Sequence, residues 1–283
     1  MSPDVLGSQL NDEEAESFRA AYERDVSPTR VEALARLTSE PTLREQRSPF
    51  FYGLTGFEDS YLGLDRLVDE ITVPLDTPGN ALIGDLALVS LYSSEGFPAQ
   101  QFDELCEFFH YGQRPFPVTS PFAVSLGQHI KIPHRLIAIR ALQTLARVPD
   151  QWKADLGRFA LTLIEHLQRV KMHEADRLKH MVTAIFVTRD TAALLGTDAD
   201  LLAGGLPRQR AFAPLVHDFG SVEVSRKVLQ RVFNEWPNEP HFAVHYARHL
   251  LYQEPREIDR AMRVIESAHN GSGRNDDTVV HKA

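Results

Sequence analysis

The sequence lacks the features of a secreted, disulfide-bonded or membrane-spanning protein. It contains a single cysteine, Cys106, in 283 residues, which excludes an internal disulfide framework and favours a reducing compartment. No stretch approaches the roughly 18 apolar residues that a membrane span needs. The N-terminus, Met1-Ser2-Pro3-Asp4, has no basic and then apolar signal pattern. These absences predict a cytoplasmic protein with no membrane partner.

A recognisable set of catalytic residues is also lacking. The sequence has no Gly-x-x-x-x-Gly-Lys-Ser/Thr motif, the backbone cradle and lysine that hold nucleotide phosphates. Cys106 lies among Leu105, Phe108 and Phe109, where nothing would stabilise a thiolate, so we expect a small buried side chain. No nucleophile, metal cluster or carboxylate pair has a usable spacing. The chain is therefore predicted to have no catalytic residues, no metal and no cofactor of its own.

The charge balance disfavours nucleic acid as the partner. The formal net charge is −9 and the pI is near 5.7, so no global positive field would gather a polyanion, although a local basic patch is compatible with these values. A hydrophobic fraction of 43% with 24% charged residues is ordinary for a globular protein that buries a core.

Apolar residues recur at three- and four-residue spacing along most of the chain, which predicts a mainly α fold. Asn11, followed by three acidic residues, has the form of a helix N-cap, and Pro28 opens a second helix. The aromatic segment 47–54 must pack on another element, because exposed consecutive rings would leave a large apolar area in water. Residues 1–80 are assigned to one helical segment.

Residues 81–148 predict a winged-helix-like module. Its expected elements are a strongly apolar helix from Ala81, a second helix over 100–110, a strand or wing within 118–126 and a closing helix over 134–146. Such folds serve either DNA recognition or protein regulation. The second helix carries Asp103, Glu104 and Glu107 and no Lys or Arg, so it would repel phosphate. A DNA-binding regulator is the disfavoured alternative, which salt-dependent duplex binding would revive.

The remaining sequence predicts linking helices and then helical repeats. Residues 149–205 contain two expected helices within 152–187 and a small-residue loop over 196–207. Residues 206–283 predict tetratricopeptide-like (TPR-like) repeats, because similar triplets recur about 36 residues apart. The triplets are Ser225, Leu229 and Val232, then Ala261, Ile265 and Ala268, with Ala243, Tyr246, Ala247 and Leu250 on the helix between them.

Two sets of regularly spaced histidines could be metal ligands, but the sequence does not favour a metal site at either. His241, His245 and His249 share a helical face at four-residue spacing, but no cysteine or carboxylate completes a site, so solvent-facing side chains lining a groove are expected. A metal remains the alternative. His166, His173 and His180 recur every seven residues, about 10 Å apart along a helix, which is too far to share an ion. They are predicted to lie at the surface.

These features together resemble the region that follows the nucleotide-binding core of STAND-class NTPases, the signal-transducing ATPases of bacterial antiviral defence. The resemblance covers roughly residues 10–283 and rests on Arg47–Leu54 with the following 56–58, on 85–90, on 131–138 and on the repeats. It implies that residues 1–80 follow an NTPase core, and that the chain is cut or split from a larger system. ATP or ADP would be bound by a core supplied elsewhere.

The resemblance also implies three nucleotide-sensing residues. In the family, a histidine at the end of the winged helix contacts the nucleotide phosphate and holds the resting state, and His134 lies at the matching place. Here it stands in Pro133-His134-Arg135 instead of the usual Met-His-Asp; a plain helix-start histidine is the alternative. Pro49, with Arg47, matches the proline that packs on adenine, and a proline that only shapes a turn is its alternative.

The function expected from this resemblance is that of a regulatory and sensor fragment in anti-phage defence. The repeats would bind a phage trigger or protein partner, and the winged-helix-like module would couple that event to nucleotide-controlled homo-oligomerisation and effector activation. The main alternative is a free-standing TPR-type adaptor that binds a peptide or protein in a concave groove. An independent enzyme is the least favoured class.

Overall fold

The fold is mainly α-helical in a computed structural model that describes residues 9–109, 121–169, 176–187, 212–237, 239–253 and 257–271. Within these residues no helix is both long enough and apolar enough to cross a bilayer. The helices are α1 (Asp12–Tyr22), α2 (Pro28–Ser39), α3 (Pro49–Phe57), α4 (Leu64–Thr72), α5 (Thr77–Tyr92), α6 (Ala99–Phe108), α7 (Arg135–Leu145), α8 (Leu156–Arg169), α9 (Asp176–Phe186), α10 (Pro214–Asp218), α11 (Val222–Glu235), α12 (Pro240–Gln253) and α13 (Ile258–Gly271).

Helices α1 and α2 begin where the local sequence predicts, whereas α3 begins at Pro49, which the sequence indicates only as part of a turn. Asn11 and Glu14 form a reciprocal capping box at the start of α1, which satisfies two backbone donors that the helix leaves unpaired. Pro28 and Pro49 occupy the first positions of α2 and α3, where a missing N–H costs no helical hydrogen bond. Two rings of the aromatic segment, Phe51 and Tyr52, are buried, as expected.

A small antiparallel sheet is inserted among the central helices. It has the order β1-β3-β2, with β1 at Phe97–Pro98, β2 at Val124–Leu126 and β3 at His129–Lys131. Helices α5 and α6 flank β1, and α7 follows β3. Within the segment 118–126, where a strand or wing was expected, the strand covers Val124–Leu126, and residues 118–120 lie outside the described ranges.

Helix α5 is the central element of the fold. It packs against α7 and α8 and also contacts α4 and α9, and ten of its residues are buried. The next layer follows from α8, which packs against α11, after which α11, α12 and α13 pack in succession. The buried apolar side chains form one connected cluster from Ala15 to Ala268.

The start predicted for α5 is wrong by one turn. The helix begins at Thr77 and not at Ala81, because the Asp76 side chain accepts the Gly79 backbone N–H at 3.0 Å and caps it there. The boundary placed between residues 80 and 81 therefore falls inside a helix. The boundary at 148/149 falls just before the 3₁₀ helix Pro149–Asp155. The boundary at 205/206 and the loop 196–207 lie outside the described residues.

Candidate functional site at His134

His134 lies where two helix N-termini meet. It is the N-cap residue of α7, and Ser48 is the N-cap residue of α3. The Ser48 hydroxyl does not cap its own helix but lies 3.3 Å from His134 Nε2. Both residues are buried. The contact joins the start of α3 to the start of α7, across 86 residues of sequence.

The hydrogen bonds fix the tautomer of the His134 ring. Its Nδ1 accepts the backbone N–H of Leu136 at 3.2 Å, so Nδ1 carries no proton. The proton of the neutral ring is therefore on Nε2, which donates to Ser48 Oγ. A serine beside a histidine suggests a nucleophile and its general base. A general base would have to accept the Ser48 hydroxyl proton at Nε2, but Nε2 already carries a proton. The pair is arranged for structure and not for serine activation.

Two phenylalanines of α3 enclose the imidazole. Phe50 stacks on it with ring centroids 5.3 Å apart and an interplanar angle of 19°, and Phe51 meets it edge-on at 4.6 Å. Burial among these rings lowers the pKa of His134 to about 4. The positive ends of the two helix dipoles also disfavour a charged ring. His134 is therefore neutral at physiological pH.

The other two predicted site residues lie directly beside Ser48. The guanidinium of Arg47 is buried, pairs with Asp12 at 2.7 Å and donates to the carbonyl of Leu37 at 3.2 Å. It thus ties the end of α2 to the start of α1. Pro49 is half-buried at the first position of α3. Arg47 and Pro49 flank Ser48 in the chain, and Ser48 contacts His134. The nucleotide-sensing role of the three residues stays a prediction.

A pH dependence of stability follows from the neutral ring. An unfolded histidine has a pKa near 6.5, so the unfolded chain binds a proton below that pH. The folded chain binds this proton only near pH 4, because the pKa of His134 is lowered to about 4. Stability is thus lost as pH falls through this window. We expect wild type to lose up to about 3 kcal/mol more than His134→Asn between pH 6.5 and 4. Urea unfolding followed by circular dichroism measures the difference.

Asparagine is the matched replacement because it is a good N-cap residue and cannot titrate. The His180→Asn variant, which removes an exposed imidazole, provides the control and should follow wild type. Parallel stability curves for wild type and His134→Asn would contradict a neutral buried imidazole.

A second buried polar pair was missed by the sequence. Asp85 on α5 is 1% exposed, and its Oδ2 lies 2.5 Å from Nδ1 of His166 on α8. Burial raises the pKa of Asp85, while the hydrogen bond and charge of His166 oppose that rise. The surface position predicted for His166 is wrong, because the residue shares the face of α8 that packs on α5. A lone carboxylate inside an apolar run was the available signal.

The remaining histidines also depart in part from expectation. His245 and His249 are buried, so the prediction that they face solvent is wrong; His249 Nε2 lies 3.2 Å from the carbonyl of Val222 on α11. These residues lie on the face of α12 that packs against its neighbours. His241 and His180 are exposed, as predicted, and His173 lies outside the described residues. Cys106 is buried, and burial raises its pKa to about 12.

Among the described residues, no group of three or more His, Cys, Asp and Glu side chains is placed to hold a metal ion. Comparison of the chain with protein families, with curated proteins and with solved structures found no match.

Proposed function

We propose that this chain is the regulatory and sensing part of a cytoplasmic STAND-class NTPase of anti-phage defence. The N-terminal helices and the winged-helix-like module hold the resting state through His134, and the C-terminal helices bind the trigger. The observation that carries the proposal is the buried contact of His134 with Ser48 and Phe50. It joins two parts of the chain that are distant in sequence.

The electrostatics of this junction support a role beside a nucleotide. The N-termini of α3 and α7 meet there, and helix N-termini attract phosphate through their dipoles and free N–H groups. His134 is a neutral N–H donor whose present acceptor is a serine hydroxyl at 3.3 Å. A phosphate held by an NTPase core would be a stronger acceptor for that proton. Exchange of the acceptor would couple the nucleotide to the junction.

The order of the other elements agrees with the proposal. A helix, a strand, a helix and a β-hairpin follow each other from α5 to β3, which is compatible with a winged-helix-like module. Helices α11, α12 and α13 pack in sequence order, as the helices of a TPR-like array would. The exposed side chains of Asp103 and Glu107 on α6 favour a protein over DNA as the partner.

Phage infection of cells that carry the gene with its native neighbours tests the proposal. We expect fewer plaques than in cells without the gene for at least one phage of a broad panel. His134→Asn keeps the N-cap but loses the stacked ring, so it should release the resting state and arrest growth without phage. His180→Asn should grow and protect as wild type does.

Two results would count against this function. The first is equal plaque numbers with and without the gene on every phage, together with normal growth of a folded His134→Asn variant. The second is ATP turnover by the purified chain, because the proposal places phosphate binding on a separate core. Phosphate release no higher than in buffer is the expected result.

A free-standing adaptor is the second candidate. It is favoured by Ile258 and Met262, which lie one turn apart on α13 and are about half exposed, as expected of a surface that receives an apolar partner. The two candidates differ in gene context. A phosphate-binding loop encoded in the same or an adjacent reading frame would support the regulatory part of an NTPase. The absence of such a loop there would support the adaptor.

A further inference from the structure

A cavity of about 720 Å³ lies between α2, the turn that follows it and the start of α4. This volume is in the range of pockets that enclose small organic molecules. The cavity does not include Ser48 or His134. It is therefore a separate feature from the junction, and its function is independent of the function proposed above.

One part of the cavity lining is apolar. Leu37, Tyr61 and Leu64 line it from buried positions, and Ala33 contributes a small side chain from the middle of α2. Leu62 lies on the same wall and is 70% exposed. An exposed leucine beside a concave apolar wall loses unfavourable contact with water when an apolar group binds there.

One wall carries a guanidinium that is held in place. Arg30 donates to the backbone carbonyls of Thr55, Glu58 and Tyr61 at 3.3, 2.9 and 3.1 Å. These neutral acceptors orient the group without cancelling its charge. The carboxylate of Asp59 is 3.6 Å away, but its side chain is fully exposed and well solvated. Arg30 thus presents a preorganised positive charge to the cavity.

Two further arginines of the lining are available to a ligand. Arg36 and Arg66 pair with Glu40 and Glu70, each at 2.8 Å, one helical turn away and exposed to solvent. Ion pairs between exposed side chains one helical turn apart are weak in water, so either arginine can exchange its partner. The lining carboxylate of Asp65 is engaged by Arg140 at 2.8 Å. The lining thus contains three arginines and two carboxylates, Asp59 and Asp65, so positive charge is in excess.

We propose that this cavity binds a small organic anion, a molecule with an apolar or aromatic body and a carboxylate, sulfonate or phosphate group. The body fills the space beside Ala33 and Leu37, and the anionic group meets Arg30, Arg36 and Arg66. The fixed position of Arg30 favours binding because little side-chain order has to be created.

A pair of fluorescent probes tests the proposal. Anilinonaphthalene sulfonate carries the anionic group, and N-phenyl-1-naphthylamine has a closely similar aromatic body without charge. Both are titrated into the folded full-length chain. We expect saturable binding of the sulfonate, at least about tenfold tighter than that of the neutral probe and weakened by added salt.

Matched variants locate the site. Ala33→Trp fills the cavity and should abolish binding of both probes. The double variant Arg36→Glu with Arg66→Glu should weaken the binding of the sulfonate at least about tenfold and leave the affinity for the neutral probe unchanged. Arg263→Glu, a reversal of an exposed charge on α13, should change neither affinity. Urea unfolding of each variant verifies that it folds, and a less bulky Ala33→Leu replaces the tryptophan if that variant does not.

Three outcomes would overturn the proposal. They are unchanged sulfonate binding in the folded cavity-filling variant, equal affinities of the two probes in wild type, and no effect of the double charge reversal. The first outcome would show that the sulfonate binds outside the cavity. The other two would show that the cavity does not select an anion. None of them depends on phage protection or on His134.

Discussion

His166→Ala should destabilise the protein by about 3–5 kcal/mol, the largest effect expected of any single change discussed here. The substitution removes the partner of Asp85, a carboxyl group that is 1% exposed. A buried carboxylate without a partner keeps its desolvation penalty and loses the compensating charge. The lost imidazole also leaves a cavity beside Phe109, whose ring lies 4.8 Å from it.

Two further variants separate the charge from the packing. Asp85→Asn keeps the size and a hydrogen bond to the imidazole, so it should cost much less than His166→Ala. The double variant Asp85→Leu with His166→Leu replaces the pair by apolar groups of similar volume and should be closer to wild type than the alanine variant. Urea unfolding followed by circular dichroism gives all three free energies. A loss below about 1 kcal/mol for His166→Ala would mean that water reaches Asp85.

Gly157→Ala should destabilise the protein by about 2 kcal/mol, although alanine is the better helix former. Gly157 is the second residue of α8, and α11 packs against α8 at this point. A Cβ at this position would overlap Cγ1 of Val224 on α11, well inside van der Waals contact. Either Val224 would have to leave its rotamer or the two helices would have to move apart, and both changes weaken the contact between α8 and α11.

The clash predicts rescue by its own partner. Val224→Ala removes the overlapping methyl group, so Gly157→Ala should be much less harmful in that background, and a double-mutant cycle measures the coupling. Gly53→Ala is the control, because a Cβ on this helical glycine meets nothing within 4 Å; it should be neutral or slightly stabilising. Equal costs of Gly157→Ala in both backgrounds would contradict the close helix crossing.

Local features of the fold were predictable from the sequence. The N-cap of α1 at Asn11 and the proline that opens α2 act within one turn of chain. The apolar spacing that predicted the C-terminal helices is likewise local, and Leu229, Val232 and Ala261 are buried as that spacing requires. The position of His134 at a helix start was predictable too, because an N-cap depends on its neighbours in the sequence.

The partners of the polar residues were not predictable in this way. His166 and His249 were expected at the surface or in a groove, because histidine is amphipathic and its spacing says nothing about which helix will cover it. The covering helices, α5 for His166 and α11 for His249, lie 81 and 27 residues away in the sequence. A buried polar group is recognised only when both members of the pair are placed.

The sequence by itself determined a mainly α-helical chain, the starts of α1 and α2 and the apolar faces of many helices, because these depend on residues within a few turns of one another. Only the tertiary structure decided that Ser48 holds His134, that Asp12 pairs with Arg47 and that Asp85 meets His166. These contacts depend on which helices pack together, and many packings satisfy the same apolar periodicity.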